Sequence, residues 1–163
     1  MQPLTIILVA GLAGAGKTTW IRQQIERSSR SVAYLSLGSQ SAPIDATWLA
    51  AELPHLMVLS DEQWVDFVAT SSHDKVLYIE LGFQIDLASL VLPQVLIDQH
   101  PNAPPKCHRV VVLPSGAESA DWDNWANQIV RGVGSPMTLQ TPHLWRSLLT
   151  GQVFDPASLN TFW

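Results

Sequence analysis

Cysteine is nearly missing from this chain of 163 residues: Cys107 is the only one. A single thiol excludes an intrachain disulfide and a multi-cysteine zinc site, and it fits a reducing compartment in which Cys107 is an ordinary residue. Charge is scarce too. Charged residues make up 14% of the chain against 47% hydrophobic, where about a quarter charged is usual. That balance excludes a disordered chain. It also leaves apolar surface for a partner or for further chain to cover, unless the seven Trp lie in the core. An excess of basic residues is lacking: the net charge of −5 argues against a broad nucleic-acid footprint, though a local basic site for a phosphate tail remains open. No apolar run reaches the ~18 residues of a membrane span. The N-terminus has neither the basic region nor the cleavage pattern of a signal peptide. The expectation is a cytoplasmic protein with no nucleic-acid or membrane partner.

What is present is an alternation of apolar runs and helical patterns, without internal repeats. Thr5 to Ala10 is a continuous apolar run, as in a strand covered on both faces. Lys17 to Ser28 reads as a helix with Trp20, Ile21 and Ile25 inward. Ser31 to Leu37 reads as a strand and Gly38 to Pro43 as a loop. A short helix over Thr47 to Leu53 and a short strand over Leu56 to Leu59 follow. Asp61 to Ala69 fits an amphipathic helix capped by Ser60 or Asp61. Val76 to Ile79 and Val110 to Leu113 are further buried strands. Asp86 to Gln99 reads as a helix bent at Pro93, and Ser119 to Arg131 as a helix with Trp122, Trp125, Ile129 and Val130 apolar. Strands alternating with helices predict an α/β fold, a three-layer sandwich around a mostly parallel sheet. The length suits one domain with one core, taken as residues 1–150. Asp155 and Pro156 resemble a helix start, yet only about two turns follow, too few for a stable isolated helix. Residues 151–163 are therefore expected to be a linker or the start of a truncated second domain, or else a short terminal helix docked on the first.

The glycines are placed with purpose. Gly11, Leu12, Ala13, Gly14, Ala15, Gly16, Lys17 and Thr18 match the phosphate-binding P-loop, with four residues between the outer glycines and Lys-Thr after them. Glycines let the backbone wrap close to phosphate oxygens with its amides pointing inward. Lys17 supplies charge to the β- and γ-phosphates, the Thr18 hydroxyl suits Mg²⁺, and the following helix adds its positive dipole end. Ala13, Ala15 and Thr19 complete the set of loop residues expected around the phosphates. The motif follows an apolar strand and opens a helix, the context it requires. About 60 residues on, the run Val76 to Glu80 puts a carboxylate at the end of a buried strand, where a P-loop protein places the acid that holds the Mg²⁺ shell or orients water. Gly82 just after it is positioned to offer its amide to the γ-phosphate.

The run from Gly11 to Thr19 resembles the P-loop of CobW-type GTPases, relatives of the urease and hydrogenase nickel-insertion GTPases. Glu80 is similar to the family's glutamate in the second acidic motif. The stretch from Gly38 to Pro43, Ile44 and Asp45 is similar to its first switch, and Val153 to Pro156 to the join with its second domain. The resemblance covers the first 90 or so residues and implies Mg²⁺-dependent binding and slow hydrolysis of GTP, with Lys17 and Glu80 in catalysis and Thr18, Asp45 and Glu80 around the metal. Metal-cofactor handling, as a metallochaperone, is the further role implied. The chain departs from the pattern in three places. One residue separates Glu80 from Gly82, where the family has two. The stretch from Leu53 to Asp61 has no Cys-x-Cys-Cys, which leaves zinc or cobalt binding unsupported; His55 and His73 read as exposed or capping residues. Pro114 to Glu118 lacks the guanine-reading Asn/Thr-Lys-x-Asp, so GTP over ATP rests on resemblance.

Other patterns carry less. Asp121 and Asp123 fit a helix N-terminus better than a carboxylate pair, and Trp122 and Trp125 fit core or partner packing. His100 and His108 take no role, and Ser115 lacks a nucleophile-elbow context. Two alternatives stand beside the hydrolase: a nucleotide-binding switch without useful turnover, and a small P-loop kinase. The kinase would need an Arg-rich lid, and only Arg109, Arg131 and Arg146 follow Gly82.

Overall fold

The structure, a computed structural model, describes residues 4–38, 44–71, 74–90 and 104–133. In chain order these form β1 (Thr5–Gly11), α1 (Lys17–Arg27), β2 (Ser31–Leu37), α2 (Ile44–Glu52), β3 (Met57–Leu59), α3 (Gln63–Thr70), β4 (Lys75–Leu81), a 3₁₀ turn (Leu87–Ser89), β5 (Lys106–Leu113) and β6 (Gln128–Arg131). The strands make one sheet in the order β3-β2-β4-β1-β5-β6, parallel at every pairing.

Side-chain alternation sorts the strands onto two faces. On one, Val9, Val32, Tyr34, Val76, Tyr78, Val110 and Val112 pack with Trp20 and Ile21 of α1 and with Ala46 and Leu49 of α2. On the other, Ile6, Leu8, Leu35, Leu77, Ile79 and Val111 pack with Val68 of α3, and Trp122 and Trp125 lean on the same cluster. Both faces being covered explains why β1 and β4 read as unbroken apolar runs. The result is the α/β P-loop NTPase architecture expected from the alternation. No helix among the described residues is long and apolar enough to cross a membrane.

The periodicity misreads one segment. In place of a helix over Ser119 to Arg131, the chain makes turns in which Trp122 and Asp123 bond back to Ser119 and Trp125 and Ala126 to Trp122. It then runs straight as β6. Two forces outweigh the helical spacing. β5 would otherwise leave its outer edge unpaired, and the β-branched Ile129 and Val130 fit an extended strand. Asn127 starts the pairing: its backbone N–H donates to the Arg109 carbonyl at 2.8 Å, and its side-chain oxygen accepts from the Arg109 N–H at 2.8 Å.

Smaller differences fall at ends. Ser60 and Asp61 do not cap α3; Glu62 precedes it without a side-chain cap, and Gln63 instead bonds back to the Ser60 N–H. α2 begins at Ile44, ahead of the expected Thr47, which draws Asp45 into its first turn. The expected helix from Asp86 is described only through its 3₁₀ turn; Pro93 and Gln99 lie outside the described residues, as do His73, His100, Arg146 and the whole of 151–163.

Candidate functional site

β1 and β4 are neighbours with Val9 opposite Glu80. The loop leaving the C-terminal end of β1 therefore starts beside the carboxylate that ends β4, and sheet topology alone brings the two motifs together.

The loop's glycines meet specific demands. Gly11 pairs with Val112 at φ 144°, and a Cβ there would lie 2.1 Å from the Val112 carbonyl oxygen; only glycine allows β1 that close to β5. Gly16 is the N-cap of α1 with φ 90°, a left-handed conformation that side chains disfavour. α1 has no side-chain cap and no acid in its first turn. Its first amides and positive dipole end are presented with no built-in anion. Ala15 is buried beneath the loop, while Leu12, Ala13 and Gly14 face solvent. Lys17 folds over the loop, its Nζ donating to the carbonyls of Gly11 at 3.3 Å and Leu12 at 3.1 Å. Thr19 is half-buried in the first turn of α1.

Glu80 is the one buried charged residue among the described residues, 7% exposed. The Thr18 hydroxyl lies 3.0 Å from each of its carboxylate oxygens. The Tyr34 O–H donates to Oε2 at 2.9 Å, and the Tyr34 oxygen is itself hydrogen-bonded by the Ser36 side chain. Burial pushes the Glu80 carboxyl above its ordinary value. The Tyr34 hydrogen bond, the Lys17 charge and the Thr18 hydroxyl pull it down, and the Asp45 charge pushes it up. Burial and the Glu80 charge likewise hold the Tyr34 phenol well above its ordinary range, so it stays a donor. Asp45 is exposed in the first turn of α2, and its charge raises both Glu80 and Tyr34.

Tyr34 escaped the sequence reading. A signal was there: a hydroxyl in the middle of the apolar run Val32 to Leu35 must find a partner when buried.

Gly82 lies differently from expectation. Its N–H donates to the Leu37 carbonyl at 2.9 Å, extending the β2–β4 ladder one step past Leu37–Leu81. Gln84 then bonds its side-chain amide to the Gly38 carbonyl. The loop after β4 is thus tied to the end of β2.

The remaining candidates stay apart. His55 is exposed beyond α2, at a surface cavity at the far end of α1. Cys107 is half-buried on β5, and burial raises its thiol pKa. Among the described residues no three His, Cys, Asp or Glu gather as a metal site. At the ends of β5 and β6, Arg131 donates to the Ala117 carbonyl.

No protein-family model matches the chain, and no curated protein does. Among solved structures, the fold is similar to that of FlhF complexed with GTP and Mg²⁺, with a TM-score of 0.52 and 17% identity over 80% of this chain. The chain spans 56% of the length of that structure. The likeness is one of fold.

Proposed function

We propose that this chain binds a nucleoside triphosphate with Mg²⁺ on the Gly11–Thr19 loop and hydrolyses it slowly, with GTP as the preferred nucleotide. The observation that carries the reading is the Thr18 hydroxyl 3.0 Å from the buried Glu80 carboxylate, at the mouth of a helix whose N-terminus holds no anion of its own. A hydroxyl beside a carboxylate is a set of hard oxygen donors of the kind Mg²⁺ takes, usually with waters and substrate phosphates completing the shell. Bound there, the ion supplies charge to neutralise the β- and γ-phosphates. Lys17 would leave the carbonyls of Gly11 and Leu12 for the phosphate tail, a better partner for an ammonium than two neutral oxygens. Asp45 and Glu80 would sit in the ion's outer shell or position water. Catalysis in such a site is positioning and electrostatics.

GTP is favoured by the fold's likeness to a protein solved with GTP and Mg²⁺ and by the CobW-like sequence around Gly11 to Thr19 and Glu80. The same resemblance supports a part in metal-cofactor handling. Zinc and cobalt lack a thiolate motif to hold them, as Cys107 is the only cysteine.

One observation favours a second reading, a nucleotide-dependent switch with negligible turnover. The Gly82 amide is held by Leu37 and is not offered to a γ-phosphate. Calorimetry of GTP, GDP and ATP with Mg²⁺, followed by Zn²⁺ and Co²⁺ on the loaded protein, tests the first reading. Preference for ATP removes the guanine assignment, and no binding by any triphosphate overturns both readings. Single-turnover hydrolysis by the native chain and by Lys17→Ala separates enzyme from switch.

A further inference from the structure

Resting on the Mg²⁺–triphosphate reading above, we propose that Tyr34 is a positioning residue of the site: its hydroxyl fixes Oε2 of Glu80 and so aims the carboxylate at Thr18 and the metal.

Tyr34 is fully buried on β2, the strand next to β4. Its register partner is Tyr78, while Glu80 pairs with Ser36. The ring therefore reaches forward along the strands to meet the carboxylate at 2.9 Å. A glutamate has one more rotatable bond than an aspartate, and the Thr18 hydroxyl, at 3.0 Å from both oxygens, does not select between them. Tyr34 does, by donating to Oε2 alone. The Ser36 hydrogen bond to the phenol oxygen polarises the O–H and strengthens its donation. Such outer partners orient the groups that hold a metal, and losing one typically costs ten-fold or more in metal affinity.

Tyr34→Phe removes the hydroxyl and keeps the ring. The Mg²⁺ concentration giving half-maximal tightening of GTP binding is expected to rise about ten-fold, while GTP affinity in EDTA stays within about two-fold. In a Glu80→Gln background, Tyr34→Phe is expected to add nothing, because Tyr34 acts through Glu80. An unchanged Mg²⁺ requirement overturns the proposal, as does an equal loss of affinity with and without Mg²⁺, which marks a purely structural role. If the native chain binds no triphosphate, both this proposal and the reading it rests on fall; if it binds and Tyr34→Phe matches it, this proposal alone falls. Should Tyr34→Phe fail to fold, the native chain still decides. Its buried Tyr34 hydroxyl proton is expected as a slowly exchanging NMR signal that shifts when Mg²⁺ joins bound GTP, and a signal that does not move overturns the proposal.

Discussion

The Thr18 hydroxyl stands 3.0 Å from both carboxylate oxygens of Glu80, joining the first turn of α1 to the end of β4. Two motifs far apart in sequence meet because β1 and β4 are adjacent, with Val9 opposite Glu80. On the Mg²⁺–triphosphate reading proposed above, a hydroxyl in this position would serve the metal and the carboxylate together. Thr18→Ala should therefore remove most of what Mg²⁺ adds to triphosphate binding, roughly ten-fold or more, and leave affinity in EDTA nearly unchanged. Thr18→Ser, which keeps the oxygen, should retain the Mg²⁺ effect. Titrations of GTP with and without Mg²⁺ check this; a full Mg²⁺ effect in Thr18→Ala would remove Thr18 from the metal shell.

Cys107 offers a check on β5 that does not depend on nucleotide. Burial raises its thiol above the ordinary value of 9.0. The thiolate is the reacting form. The alkylation rate of the folded chain should therefore keep rising as pH passes 9.0, with a midpoint above that value, whereas the chain in urea should show the ordinary midpoint. Because the folded form holds its proton longer than the unfolded one, the group also costs stability as pH rises above 9.0. Iodoacetamide rates across pH measure the first effect. A folded-state midpoint at or below 9.0 would argue against the packing of Cys107 on β5.

Much of this was legible in the sequence, and the reasons are specific. β2 was read at its observed bounds because Ser31 to Leu37 is apolar and bordered by the polar Ser28 to Arg30 and by Gly38. Lys17, Thr18 and Glu80 stand out in the sequence because each belongs to a motif whose residue types follow from phosphate and Mg²⁺ chemistry, and the fold brings Thr18 and Glu80 into contact. No motif contains Tyr34; its contact with Glu80 arises from the neighbouring strand. β6 was misread because Trp122, Trp125, Ile129 and Val130 are spaced as on a helix, and the open edge of β5, a non-local property, decided otherwise.

That misreading yields its own test at Asn127, whose side chain accepts the Arg109 N–H at 2.8 Å while its backbone bonds the Arg109 carbonyl. Asn127→Ala leaves the Arg109 amide without its partner and should cost about 1–2 kcal/mol. It should also speed hydrogen exchange at Arg109 and along β6 before the rest of the sheet. Equal protection in the variant and the native chain would mean that β6 is held without this clamp. Asn127→Asp should recover most of the loss, since its carboxylate offers the same acceptor.

Two glycines near the site should respond very differently to alanine, because different atoms oppose the new methyl. At Gly38, φ is +83° and the Cβ would meet the end of the Ile85 side chain, 2.8 Å from Cδ1. That methyl can swing aside, so the main cost is the left-handed backbone, about 1–2 kcal/mol. The same shift should loosen the ties from Gly82 to Leu37 and from Gln84 to Gly38, seen as faster exchange of the Gly82 amide. At Gly11 the Cβ would sit 2.1 Å from the Val112 carbonyl oxygen, and backbone cannot move aside without breaking the β1–β5 pairing. β1 lies inside the sheet with β4 on its other side, so Gly11→Ala should fail to fold or melt far below Gly38→Ala. Thermal unfolding of the two variants side by side decides the point. Comparable melting temperatures would show that β1 does not approach β5 as closely as the P-loop needs at its entrance.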